Sequence, residues 1–327
     1  MSADSLFGGT APGSLSANTL ALLNHFLTDT VGGSAITAAF GSSTYVSGIG
    51  THGEFQGGVL PGVGALSGTI DDGALQLTLN LPGKTGFVFE GMDSVSPDAA
   101  GAFLHSVVSS YNPHADQKAS VDSAVDQLVL SLKAQGVSNV SFRVFDFMAD
   151  AGSAPAGALG AAPSDTVIDA SANSGVQAFA INLLHGGSVV LKGVEQAVVA
   201  NTGTIRVEGN TPIHLVGDLT AQDITGGGGN DTLVGGGGND TLTGGLGSDV
   251  FGFSALGHYT VKDFDVAHDT AAFNIGGITN IQQLAAQVTS VDNAPSGVTY
   301  HFGNDASITL VGVSAAQITS DLIKFTF

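Results

Sequence analysis

From residue 188 onward the apolar positions recur in short bursts at an almost constant interval. Tetrads rich in β-forming residues start at Ser188, Gln196, Thr204, Ile213, Gln222, Asp231, Asp240 and Asp249, so that successive starts are eight or nine residues apart. A unit this short holds one strand and one turn and cannot bury its own apolar face, so consecutive units must stack into a solenoid. The pattern predicts a parallel β-roll with Leu215, Ile224, Leu233, Leu242 and Phe251 pointing inward, each nine residues from the next.

The first 148 residues follow other periods. Leu20, Leu23, Phe26 and Leu27 recur at helical spacing, as do Phe103, Leu104, Val107, Val108 and Tyr111 after Ser96-Pro97, and Val121, Val125, Leu128 and Leu132 before Gly136. These read as three amphipathic helices. Gln76–Leu81, Thr85–Glu90 and Val140–Phe147 read as strands. The fold class expected is mainly β. An α+β domain occupies residues 1–148 and an Ala/Gly/Pro-rich linker 149–164. Calcium-free solenoid rungs fill 165–225, the glycine-rich roll 226–252 and a β-rich cap 253–327. In that cap the sequence predicts a strand and turn near Tyr259–Asp265, a short helix near Ile281–Val288, and strands at Val298–Phe302 and Ser307–Val311.

Charge narrows the partners. The chain has 327 residues, with 28 acidic residues against 8 Lys plus Arg, a formal charge of −20. A chain this acidic is repelled by nucleic acid and by anionic membrane surfaces, and its natural counterpart is a cation. Cysteine is absent, which excludes disulfides, zinc-thiolate sites and a cysteine nucleophile. The opening residues show neither the basic nor the apolar region of a Sec leader, and no apolar run reaches the length of a membrane-spanning helix; export by an unconventional route or a cytosolic location is expected.

Glycine is the second compositional signal: 48 of the 327 residues, of which 12 fall in residues 226–252. That segment reads GGGGNDTLV, GGGGNDTLT and GGLGSDVFG, three tandem matches to GGxGxDxUx with U a large apolar residue. Glycines allow the positive backbone angles that turn carbonyl oxygens inward, and the acid closes the turn with anionic oxygen. Calcium takes six to eight hard oxygen ligands, more than one turn supplies, so two turns must share an ion. Strands alternate between two faces, which puts turns on the same edge 18 residues apart. Turn 226–231 therefore pairs with 244–249, whereas 235–240 lies on the other edge between 217–222 and 253–258, neither of which has an acid at position six. One complete calcium site and one or two less complete ones are expected. A flexible glycine linker would not keep Leu or Phe at position eight; a calcium-free solenoid in which the aspartates only turn the chain remains the alternative.

These units resemble the RTX calcium-binding nonapeptides of proteins exported by type I secretion. The resemblance covers about residues 215–327. It implies calcium as the bound cofactor, held by Gly226, Gly227, Gly229, Asp231, Gly235, Gly236, Gly238, Asp240, Gly244, Gly245, Gly247 and Asp249. The following GSDVFGF and VKDFDVAHD are similar to the segment that closes such rolls, which adds Asp263 and Asp265 as weaker ligand candidates, and the tail is similar to an uncleaved C-terminal secretion signal. The partners implied are the type I secretion machinery, like subunits in an oligomer or polymer, and a cell-surface or matrix polysaccharide, with no nucleic acid and no membrane insertion. The expected location is outside a Gram-negative cell, and the expected role is structural or adhesive rather than enzymatic. The competing expectation is a secreted hydrolase with an unrecognised site in residues 1–147.

Other motifs weaken on inspection. Gly83-Lys84-Thr85 ends like a phosphate-binding loop but has Thr78 where the first glycine belongs, so a hairpin turn is expected. Asp71-Asp72 precedes Gly73 as a turn does. The nine histidines form no HExxH, and no GxSxG occurs. His25, His105 and Asp146 read as structural, and the upstream solenoid lacks a regular threonine ladder of the kind a surface-binding face would need.

Overall fold

The computed structural model describes residues 44–47, 52–60, 64–71, 74–80, 87–111, 115–147, 166–173, 175–183, 188–200, 203–303 and 305–326. The helix expected at Leu20–Leu27, the Gly83-Lys84-Thr85 turn, His25 and the linker of residues 149–164 lie outside them.

Five strands open the described chain as an antiparallel meander: β1 (Thr44–Ser47), β2 (His52–Leu60), β3 (Gly64–Asp71), β4 (Ala74–Asn80) and β5 (Phe87–Val95). Two helices follow at two of the positions read from the sequence, α1 (Pro97–Tyr111) and α2 (Ala115–Ala134). Ser96 starts α1, its side-chain oxygen accepting from the Ala99 N–H at 3.2 Å, with Pro97 in the first turn, where its missing N–H costs nothing. Gly136, at φ +72, stops the chain after α2, and the Val137 N–H reaches back to the Leu132 carbonyl.

Strand β6 (Val140–Phe147) then leads into the solenoid. Its rungs are β7 (Thr166–Asp169), β8 (Gln177–Leu183), β9 (Ser188–Lys192), β10 (Gln196–Ala200), β11 (Thr204–Glu208), β12 (His214–Val216), β13 (Asp223–Gly227), β14 (Thr232–Val234), β15 (Gly238–Gly245), β16 (Val250–Phe253), β17 (Gly257–Val261) and β18 (Thr270–Phe273). Each tetrad read from the sequence is a strand. Even-numbered strands from β6 to β18 lie side by side in one sheet and odd-numbered ones from β7 to β17 in the other, as alternation between two faces demands. Pairing is parallel, and in the middle of the stack the register advances by one double unit, with His214 opposite Thr232 and Thr232 opposite Val250.

The tail continues both sheets. After α3 (Ile281–Gln287) come β19 (Val288–Ala294), β20 (Gly297–Phe302) and β21 (Ala306–Val311), an antiparallel set joined to the roll by parallel pairing of β21 with β17; β22 (Ile323–Lys324) adds to β18. The sequence missed β18, whose apolar run is only four residues, and β19, an edge strand exposed along almost its whole length.

The inward ladder is as expected: Leu215, Ile224, Leu233, Leu242 and Phe251 are all fully buried in one cluster between the sheets. Each such side chain contributes on the order of 1.5–3 kcal/mol. A second core lies on the opposite face of the even-numbered sheet, where Leu104, Val125, Leu128 and Leu132 of the helices cover Phe142, Ala178, Val198, Val216 and Val234. The expected separation of an N-terminal domain is crossed by backbone hydrogen bonds. β6 pairs in parallel with β8 from Ser141–Gln177 to Phe147–Leu183, so one sheet of 13 strands among the described residues runs from β1 to β22.

Candidate metal centre

Both edges of the roll are made by stacked turns. On one edge the turn 244–249 lies directly over 226–231: the Leu246 N–H donates to the Gly227 carbonyl at 3.0 Å and the Ser248 N–H to Asn230 Oδ1 at 2.9 Å. On the other edge the turn 235–240 lies over 217–222, and a side chain at Gly236 (φ +90) would press on the Asp218 carbonyl oxygen at 2.5 Å. The pairing inferred from the 18-residue spacing is therefore present on both edges.

The position-six aspartates form columns. One oxygen of each accepts a backbone N–H from the previous turn on its own edge: Asp231 Oδ1 from Ile213 at 3.0 Å, Asp240 Oδ1 from Gln222 at 3.0 Å, and Asp249 Oδ1 from Asp231 at 2.9 Å. The second oxygens of Asp231 and Asp240 are buried and accept no hydrogen bond. An ionised oxygen in that position costs several kcal/mol. Burial accordingly pushes the Asp231 carboxyl up to about 7 and that of Asp240 up to about 8. Asp249 is pushed up to about 6 by burial and by the neighbouring charges of Asp269 and Asp263.

The space beside these oxygens is held open by glycine. A Cβ at Gly226 would lie 2.5 Å from Asp231 Oδ2 and 2.8 Å from the Gly244 carbonyl oxygen of the next turn. A carboxylate oxygen and a carbonyl from two different turns thus converge on a cradle that any side chain would fill. Hard oxygen donors, uncompensated negative charge and a shared inter-turn position are the requirements of calcium. Side chains alone would not reveal such a site: among the described residues no group of three or more His, Asp or Glu could hold a metal, because each turn supplies one carboxylate and the remaining donors are backbone carbonyls.

The model of the RTX calcium-binding nonapeptide repeat matches residues 216–251 in four copies. Residues 216–251 are RTX calcium-binding nonapeptide repeats. Calcium is the ion such repeats bind, and the repeats indicate a secreted, extracellular protein. Two solved structures are similar to parts of this chain. The AlgE6R3 subunit of the mannuronan C5-epimerase from Azotobacter vinelandii is 27% identical over 35% of this chain and 78% of its own, with a TM-score of 0.23. The extracellular lipase LipA from Serratia marcescens is 17% identical over 49% of this chain and 42% of its own, with a TM-score of 0.24. No curated protein matches the chain.

The structure also shows where the RTX columns stop. Beyond turn 235–240, Phe253 stands where a further unit would have its first glycine, and its ring packs on Tyr259 and Phe273 with centroids 4.9 Å and 5.1 Å away, leaving no cradle. Beyond turn 244–249 the closing segment is two residues longer than a double repeat. Asp263 is brought to the turn, its two oxygens accepting the Gly244 and Gly245 N–H groups at 2.9 Å each. Asp265 is not: it accepts from the Ala267 N–H and pairs with His268 inside its own turn. The residue in register is Asp269, whose Oδ1 accepts the Asp249 N–H at 2.8 Å and so continues the column from Asp231 and Asp249. Fixed nine-residue spacing could not find it; an acid two residues before the apolar run Ala271–Phe273, as in the repeats, is the signal that could have. His105, read as structural, bonds Asp122 and Asp126 between the two helices at 3.0 and 2.9 Å.

Turn stacking makes a direct prediction. Gly245 has φ +99, and a Cβ there would run into the Gly227 carbonyl oxygen, whereas Gly312 (φ +76) has open space around it. Gly245→Ala is expected to weaken calcium binding at this turn pair about tenfold or more, since the left-handed conformation alone costs on the order of 1–2 kcal/mol before the clash is counted. Gly312→Ala should leave calcium affinity unchanged. Calcium titrations followed by circular dichroism compare the two, and equal affinities in both variants would contradict the stacked geometry.

Proposed function

We propose that this RTX protein is an extracellular structural or adhesive component of a Gram-negative bacterium, exported by type I secretion and folded by calcium outside the cell. The observation that carries the proposal is the pair of buried, unpartnered carboxylate oxygens of Asp231 and Asp240, the first of them beside the cradle shared by Gly226 and the Gly244 carbonyl. In a calcium-poor cytosol these charges oppose closure of the roll, which suits passage of an open chain through a narrow channel. In millimolar calcium, binding to the folded state alone stabilises it.

The adhesive part of the reading is supported by a face that the sequence does not display. On the outside of the odd-numbered sheet, Thr241, Thr260, Thr309 and Thr299 stand opposite one another on four successive strands, drawn from positions with no common period. Thr299 Oγ1 and Thr309 Oγ1 are 3.0 Å apart. Neighbouring strands are about 4.8 Å apart, so the row repeats hydroxyls at a spacing suited to a polyhydroxylated surface or matrix polysaccharide. Electron microscopy of the purified protein in calcium tests the role. Filaments or sheets that disappear on chelation are expected; monodisperse particles that turn over a glycan or ester substrate would instead establish the secreted hydrolase.

A further inference from the structure

We infer that Gln222 supplies its amide oxygen to a second calcium position, between the turns 217–222 and 235–240, and ends the calcium column on that edge. The inference rests on the RTX reading of residues 226–252 and extends it one unit upstream, to a turn whose sixth residue is not an acid. Gln222 is only 2% exposed, and its Oε1 is buried with no hydrogen-bond partner. A buried amide oxygen left unbonded costs on the order of 1–3 kcal/mol, so it calls for a partner.

Its surroundings match those of the complete site. A Cβ at Gly217 would run into Gln222 Oε1 and lie 2.6 Å from the Gly235 carbonyl oxygen, as a Cβ at Gly226 would meet Asp231 Oδ2 and the Gly244 carbonyl oxygen. The amide oxygen therefore stands where a carboxylate oxygen stands one unit later, facing the equivalent carbonyl. The other end of the amide explains why the residue is not an acid. Gln222 Nε2 is directed at the Val199 carbonyl oxygen, a long contact of 3.5 Å, while the Gln222 backbone N–H donates to Asp240 Oδ1. Val199 belongs to β10 and stands 18 residues before Gly217, where a further unit would have its first glycine, so a second carboxylate oxygen at 222 would face a carbonyl with no cation between them. An amide presents an acceptor to the calcium side and a donor to the calcium-free side. With a neutral ligand in place of a charged one, this position is expected to fill at higher calcium than the position between 226–231 and 244–249, because affinity in oxygen sites rises with ligand charge.

Equilibrium dialysis of the full chain against calcium tests the inference. Gln222→Leu removes the oxygen at similar volume and should bind one ion fewer than the natural sequence, with the tighter site unchanged. Gln222→Glu keeps the length and adds a charge, and should tighten the weaker site about tenfold, which keeps the test open if the Leu variant fails to fold. If both variants bind the same number of ions with the same affinities as the natural sequence, Gln222 is not a ligand, while the RTX reading stands. If the natural sequence itself binds no calcium, the RTX reading fails and the Gln222 site with it.

Discussion

Excess EGTA at pH 8 is expected to remove most of the far-UV strand signal contributed by the roll, and millimolar calcium to restore it. The fully buried ladder from Leu215 to Phe251 favours the folded roll with or without the ion, so the outcome turns on what opposes it. At pH 8 the carboxyl of Asp231 lies above its folded pKa of about 7 and that of Asp240 sits at its value of about 8, each with a buried oxygen that no hydrogen bond compensates. Each pKa unit corresponds to about 1.4 kcal/mol, so the penalty is several kcal/mol, comparable with the whole stability of an ordinary domain. Calcium acts in the opposite direction: an ion present at a hundred times its dissociation constant adds about 2.7 kcal/mol per site to the folded state. Identical strand content in EGTA and in calcium would overturn this account and would favour a solenoid in which the aspartates only shape the turns.

The second large effect is a pH dependence whose direction differs from that of ordinary carboxylates. In calcium-stripped buffer the roll should lose stability as pH rises from about 4 to about 8. The folded state holds its protons on Asp249, Asp231 and Asp240 up to about 6, 7 and 8, whereas the unfolded chain releases them near 4. Between those limits the folded state binds more protons, and stability falls with rising pH. With calcium present the ion takes the place of the protons, so its affinity should rise over the same interval. Urea midpoints at pH 5, 7 and 8.5 read the first effect. The double variant Asp231→Asn, Asp240→Asn should flatten most of the slope, be more stable than the natural sequence at pH 8.5 without calcium, and lose the tighter calcium site. A calcium-free midpoint that rises between pH 5 and 8.5 would show that these carboxylates are ionised at little cost.

The roll was legible because its code is local. One strand and one turn per nine residues put every inward Leu, Ile or Phe at a fixed interval, and the same interval fixed which turns share an edge. Where the interval changes, sequence reasoning fails for the same reason. Asp269 enters the column 20 residues after Asp249, displaced by a longer closing turn, and Asp265, which the resemblance to a roll-closing segment suggested, stays in that turn with His268. Gln222 was passed over because it is not an acid, although its position, not its charge, places it at the cradle.

By itself the sequence determined a stack of short rungs, the ion that suits them, and the aspartates that stack along their turns, because glycine angles, carboxylate charge and a nine-residue period act within one or two turns of the chain. The tertiary structure decided what depends on distant segments meeting. It joined β6 to β8 across 149–164, laid the helices over the valines at 198, 216 and 234, and aligned four threonines on strands of unrelated spacing. No local period records those contacts, since each is fixed by which apolar face remains to be covered once the roll has closed.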